Sequence, residues 1–139
     1  MKVTKIRQTK FIPAKPAEVY DAFIEAKIHA AFTGAKATSN PRVGGRFTAW
    51  DGYITGRNLK LKKAKLIVQQ WKTTEWPEGY SPSILNLSFK QKKGGTQVTM
   101  VHSNVPASQA KNYRQGWVES YWDPLKRYFQ KRNARWEGI

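Results

Sequence analysis

The sequence predicts an α+β fold: a curved antiparallel sheet of about six strands wrapped on one long C-terminal helix, with two short helices after the first strand. Three observations carry this. An alternating stretch near the start gives way at once to helical spacing. Strand-like runs punctuated by tight-turn signals then fill the chain from Arg42 to Pro106. Finally, an aromatic-rich stripe at helical period occupies the last thirty or so residues. A chain of 139 residues buries roughly two thirds of its extended surface on folding, enough for one real core, and the expectation is one domain over residues 1–139.

Residues 3–11 set Val3, Lys5 and Arg7 against Thr4, Ile6 and Gln8, which reads as a strand with one apolar and one wet face. Pro16 suits a first helical turn, and Val19, Ala22, Phe23 and Ala26 follow at helical spacing, predicting a helix over 16–26. A second helical piece, Ile28–Phe32, stops at Gly34. Strands are predicted at Arg46–Trp50 and Tyr53–Leu61, joined by the Asp51-Gly52 hairpin signal, with Gly56 marking a bulge. Leu66–Thr74, Pro82–Lys90 and Thr96–Asn104 complete the sheet, the last two joined at Lys93-Gly94-Gly95 and ended by Pro106. The final helix spans Ser108–Asn133. Tyr113, Trp117, Tyr121 and Leu125 recur every fourth residue, and Val118, Trp122 and Phe129 widen the stripe. Pro124 within it must kink or interrupt the helix, because it removes a backbone donor and crowds the preceding turn.

Composition narrows the chemistry. With no cysteine, disulfide scaffolds, thiolate zinc sites and cysteine nucleophiles are excluded. No apolar run reaches the ~18 residues of a membrane span, and the first residues lack a secretory apolar segment, so a cytoplasmic protein is expected. Twenty-five Lys+Arg against nine Asp+Glu give a net charge of +16. Such an excess attracts nucleic acid, anionic membrane surface or acidic partners, or simply solvates a surface. The charge gathers at 57–65, 90–93 and 126–135 but forms no unbroken arm.

Several motifs in fixed order carry a family resemblance: Ala31-Phe32-Thr33-Gly34, Val43-Gly44-Gly45-Arg46-Phe47 and Asp51-Gly52-Tyr53-Ile54-Thr55-Gly56. To these add Ile67-Val68-Gln69-Gln70-Trp71-Lys72, Trp76-Pro77-Glu78-Gly79 and Gly116-Trp117 with Tyr121-Trp122. The set resembles the activator of heat-shock-protein-90 ATPase homologue family, within the START-like and Bet v-like helix-grip group, from about residue 4 to 130. The resemblance implies a helix-grip fold with a cavity between sheet and helix, and a link to chaperones and the stress response. It is to the C-terminal-type domain of that family, since the first strand begins almost at Met1. Tyr80 stands where many members carry a histidine.

No catalytic constellation, metal-ligand spacing or cofactor motif is found, and a non-enzymatic role is expected. An enzyme of the polyketide-cyclase kind needs little more than a shaped cavity on the same fold. Of the two histidines, His102 shares a strand face with Val98 and Met100 and should point inward, as a cavity anchor or a satisfied core group. His29 is expected on the surface. Glu18, Asp21 and Glu25 fall on the solvent side of the first helix. The candidate ligand cavity comprises Phe47, Ile54, Trp71, Leu85, Leu87, Met100, His102, Trp117 and Tyr121, which would otherwise simply fill a core. The loop Trp76-Pro77-Glu78-Gly79-Tyr80 is a candidate partner contact or lid, unless Trp76 folds back on the sheet end. The leading expectation is a module binding a small apolar or amphipathic molecule. A chaperone-interaction module is the alternative, and nucleic-acid association through the basic surface ranks last.

Overall fold

The computed structural model describes residues 2–137. Strand β1 (Val3–Ile12) leads into helices α1 (Pro16–Ile24) and α2 (Ala26–Thr33). Strands β2 (Thr38–Ser39), β3 (Arg46–Ala49), β4 (Ile54–Lys62), β5 (Leu66–Thr73), β6 (Ser83–Lys92) and β7 (Gly95–Pro106) follow. The chain ends in α3 (Ala110–Trp117), a π-helical turn (Val118–Trp122) and α4 (Asp123–Glu137). All strands join one antiparallel sheet in the order β1-β7-β6-β5-β4-β3-β2. This is the helix-grip arrangement the sequence predicts, with one more strand than expected: two residues of β2 cap the edge. Among the described residues no helix is long and apolar enough to cross a membrane.

Alternation along the strands decides which face is inside. Ile6, Ile67, Leu85, Leu87, Val98 and Met100 project from the inner face and are fully or almost fully buried. Trp122, Leu125 and Phe129 of the C-terminal helix are likewise buried against that core. The Glu18 carboxylate closes the α1 N-terminus by accepting the Lys15 backbone N–H at 3.0 Å, half of a capping box. Gly34, in the left-handed region at φ 76°, ends α2 as expected.

Two local expectations are corrected. Gly56 is not the bulge; the β4–β5 register shifts between Asn58 and Lys60 instead. Gly56 is required for a different reason. A Cβ there would lie 2.0 Å from the Gln70 carbonyl oxygen and 2.5 Å from the Phe47 ring, so only glycine lets β5 and Phe47 approach. The Asp51-Gly52 hairpin is real but longer than a two-residue turn. Trp50 and Asp51 both adopt positive φ (52° and 57°), which removes Trp50 from the predicted strand. A bulky residue in that region is strained. Reciprocal bonds hold it: Asp51 N–H donates to the Lys36 carbonyl at 3.0 Å, and Lys36 N–H donates to Asp51 Oδ1 at 3.1 Å.

Pro124 acts on the long helix as anticipated, and the means is a π turn. The Asp123 N–H bonds back to the Val118 carbonyl, one residue further than in an α-helix. The wider turn absorbs the crowding that the pyrrolidine ring imposes on the residues before it. It also brings Trp117, Tyr121 and Trp122 onto the inner side together, where all three are buried.

Candidate functional site

Between α3, the π turn and the far ends of β4 and β5 lies a cavity of about 310 Å³. Trp50, Tyr53, Ile54 and Trp71 line it from the sheet side, and Tyr113, Gly116, Trp117, Ser120 and Tyr121 from the helical side. Among the described residues no charged side chain borders it. The i, i+4 stripe of Tyr113, Trp117 and Tyr121 aims at it by helical periodicity alone. Trp50 reaches it because the strained turn swings its ring out of the β3 line. At position 116 a Cβ would meet nothing within 4 Å, so glycine leaves part of the space open.

Two buried polar networks anchor the walls. In the first, the Trp117 indole N–H donates to His102 Nδ1 at 3.2 Å. That assigns the ring proton to Nε2, which donates to Ser83 Oγ at 2.7 Å, and the Ser83 hydroxyl donates to the Trp71 carbonyl at 2.6 Å. Every donor and acceptor matches only if His102 is neutral. Burial supplies the same answer by lowering its pKa to about 3.

The second network corrects the reading of His29. Its ring is buried, not on the surface, because α2 turns back against the C-terminal helix. His29 Nδ1 faces the Phe23 carbonyl at 3.4 Å, an acceptor, so Nδ1 carries the proton. Nε2 therefore accepts from the Tyr121 hydroxyl at 3.0 Å. Burial lowers the His29 pKa to about 4, with the Phe23 carbonyl opposing part of the drop. Burial raises the Tyr121 pKa well above the ordinary tyrosine value. The Tyr121 proton is thus committed to His29, and its oxygen lone pairs remain. The Trp50 indole N–H lies near that oxygen without reaching hydrogen-bond geometry, and it is buried with no partner.

The rim is also tied down. Thr73 donates to the Tyr113 hydroxyl at 2.6 Å, and Tyr113 donates to Gln109 at 2.8 Å. Tyr53 donates to Glu75 at 2.7 Å. Burial and that carboxylate push the Tyr53 pKa up to about 12.

Of the nine cavity residues read from the sequence, Ile54, Trp71, Trp117 and Tyr121 line this space together. His102 stands behind Trp71 and Trp117 and orients them; its ring centroid is 4.6 Å from that of Trp71. Leu85, Leu87 and Met100 lie in the packed core and do not border the cavity; the helix packed against their strands, β6 and β7, is α1. Phe47 is held over Gly56 on the β3 side and is also outside it. Trp50, Tyr53, Tyr113, Gly116 and Ser120 are lining residues that the sequence reading did not assign to the cavity. Tyr113 was legible, lying one helical turn before Trp117. Trp50 was not, since nothing in the sequence announces a tryptophan at positive φ.

The loop after β5 divides. Trp76 folds back: it stacks on Tyr113 with centroids 5.9 Å apart, meets Trp71 edge-on at 6.1 Å and donates its indole N–H to the Ser81 carbonyl. Glu78 and Gly79 remain exposed at the tip, with Pro77 and Tyr80 half-buried.

Comparison with known proteins agrees with this architecture. Residues 13–130 match the family described as Activator of Hsp90 ATPase homolog 1-like protein. The human activator of 90 kDa heat shock protein ATPase homolog 1 is 34% identical over 125 residues, covering 90% of this chain and 37% of that protein. A Dictyostelium discoideum activator of 90 kDa heat shock protein ATPase homolog is 28% identical over 114 residues, covering 82% of this chain and 30% of that protein. The chain therefore spans about a third of the length of these curated relatives. A crystal structure of an HSP90 activator from Plasmodium falciparum superposes with a TM-score of 0.84 at 23% identity, covering 91% of this chain and 96% of that one. The chain belongs to the Activator of Hsp90 ATPase homolog 1-like family.

Proposed function

We propose that this domain binds a small, uncharged, largely apolar molecule carrying one hydroxyl or carbonyl group, without catalysing a reaction on it. The observation that carries the reading is the unpartnered Trp50 indole N–H beside the Tyr121 oxygen, at the wall of an aromatic cavity. A buried donor without an acceptor is costly. The indole N–H is closed to solvent, so a ligand oxygen would satisfy it through a small turn of the Trp50 ring. The Tyr121 lone pairs, freed because His29 takes the phenol proton, would accept from a ligand hydroxyl. With no charge on the lining, and with both histidines and Tyr121 held neutral, a charged head group would find no counter-ion. A volume of about 310 Å³ lies at the small end of ligand pockets. Such a domain would work in the cytoplasm.

Calorimetry with 1-naphthol, naphthalene and 1-naphthoate tests this, since the three share a ring body and differ at the head. The reading requires naphthol to bind more tightly than naphthalene and naphthoate not to bind. Gly116→Leu, whose Cβ would meet nothing within 4 Å and whose side chain would project from the cavity wall, should abolish naphthol binding in a protein that thermal melting shows to be folded. Equal affinity for all three, or undiminished binding by Gly116→Leu, would overturn it.

A second reading rests on the 34% identity to the human activator: the domain modulates the ATPase of a heat-shock-protein-90-type chaperone, as that relative's name describes. The exposed loop tip Glu78-Gly79 and the adjoining Tyr80 are the contact it would use, with Trp76 and Pro77 as its rigid base. ATP turnover by such a chaperone should then rise when the domain is added in excess. An unchanged rate in the presence of folded domain would exclude it.

A further inference from the structure

The seven strands contain no Asp or Glu. Every acid of the described residues lies on a helix, a turn or a loop. Cations, by contrast, recur along the strands, and the register puts most of them on the outward face of the sheet. Arg46 and Arg57 sit directly opposite one another on β3 and β4. Lys60 begins a cross-strand row that runs through Val68, Asn86 and Val101 to Arg7. Lys62 and Lys72 flank the same face, and all six side chains are exposed. Among the described residues the ion pairs are Lys63 with Asp21 and Arg132 with Glu18, so none of these six cations is neutralised.

Like charges directly across an antiparallel pair are unfavourable, so the Arg46–Arg57 pair gains nothing for the fold. The two frame a surface depression of about 410 Å³ together with Lys72, and Thr48, Thr55 and Gln70 supply uncharged hydrogen-bonding groups beside them. Between the cations the outer face carries chiefly threonine, serine, asparagine and glutamine, with small aliphatic residues. Its one exposed aromatic, Phe11, lies at the far end. A face of this kind can take phosphate oxygens at many points but offers no platform for stacking unpaired bases. The exposed large apolar residues of the strands are Val3 and Phe11, at opposite ends of β1, and Leu59 on β4. They are scattered and form no continuous apolar patch to seat the sheet in a membrane.

We infer that the outer face of the sheet is a docking surface for the phosphate backbone of double-stranded nucleic acid, bound without sequence preference and centred on Arg46, Arg57 and Lys72. This surface lies on the opposite side of the sheet from the helices and is independent of the cavity.

The test is fluorescence anisotropy with a short labelled DNA duplex between about 50 and 200 mM salt. Three proteins are compared: the parent, R46S/R57S/K72S, and the charge-matched helix variant K111S/R114S/R127S. The parent should bind with affinity falling steeply as salt rises. The sheet variant should lose at least about tenfold in affinity and flatten the log–log slope by about two to three, one per lost phosphate contact, whereas the helix variant stays close to the parent. Thermal melting verifies that each variant folds; if the triple sheet variant does not, R57S alone should flatten the slope by about 0.9. Equal losses in the sheet and helix variants would mean that net charge alone drives binding, and would overturn the assignment. So would tighter binding to phosphatidylserine vesicles or polyglutamate than to the duplex, or no duplex binding at low salt.

Discussion

The Trp117 indole N–H donates to His102 Nδ1 across 3.2 Å, joining the long helix to strand β7 through a histidine that must be neutral. This contact sets how the protein responds to acid. His102 and His29 have folded pKa values lowered by burial to about 3 and about 4, against 6.5 in the unfolded chain. As pH falls below 6.5, the unfolded state takes up protons that the folded state refuses. Stability is therefore full above that pH and declines below it, by up to about 1.4 kcal/mol per pH unit for each histidine. The His29 contribution to the decline ends near pH 4 and that of His102 near pH 3. Urea midpoints measured through this range should follow that slope, and His29→Asn should shallow it. A midpoint flat below pH 6.5 would contradict the neutral assignments.

Tyr121→Phe removes the donor that His29 Nε2 accepts and leaves a buried acceptor unpaired. The loss should be about 1–3 kcal/mol in denaturant unfolding. His29 should also titrate somewhat closer to its ordinary value, because the neutral ring loses the hydrogen bond donated to its Nε2 while burial persists, which its NMR shift would report.

Gly56→Ala tests the close approach in the sheet. Its Cβ would stand 2.0 Å from the Gln70 carbonyl, which is backbone and cannot rotate away. A cost of about 1–3 kcal/mol is expected, read from the urea midpoint. Gly116→Ala in the same assay should stabilise by up to about 1 kcal/mol, since that helical glycine has room for a methyl group.

Trp50→Phe separates ligand chemistry from packing. It deletes a buried N–H with no partner, so the melting temperature should hold or rise. The preference for 1-naphthol over naphthalene should disappear in the same variant. Retained discrimination would show that another group recognises the hydroxyl.

The order of elements and the burial of the helical stripe were legible because they rest on periodicity. Leu85, Leu87 and Phe89 alternate, and Trp117, Tyr121 and Leu125 recur every fourth residue, so facing directions followed without any contact being known. The cavity boundary was less legible. Leu85 and Met100 share the inner face with Trp71, and only the position of the helix along the strands decides which of them meets open space. The burial of His29 is not legible in the sequence, because α2 is short and its partner, Tyr121, lies 92 residues away. Trp50 depends on a strained turn that the Asp-Gly signal locates but does not shape. The basic outer face was visible as composition, yet only strand register shows that its cations share one surface.

Whether the space between sheet and helix is a binding site is decided by a 1-naphthol titration followed through the indole N–H resonances in ¹⁵N NMR spectra. Saturable one-site shifts are expected for Trp50, Trp71 and Trp117, which line the cavity, while Trp122, whose N–H is bonded to Gln8, stays in place. The Trp50 resonance should move furthest downfield as it gains an acceptor. Absence of saturable shifts, or shifts spread equally over Trp122, would mean that the space between sheet and helix is not a binding site.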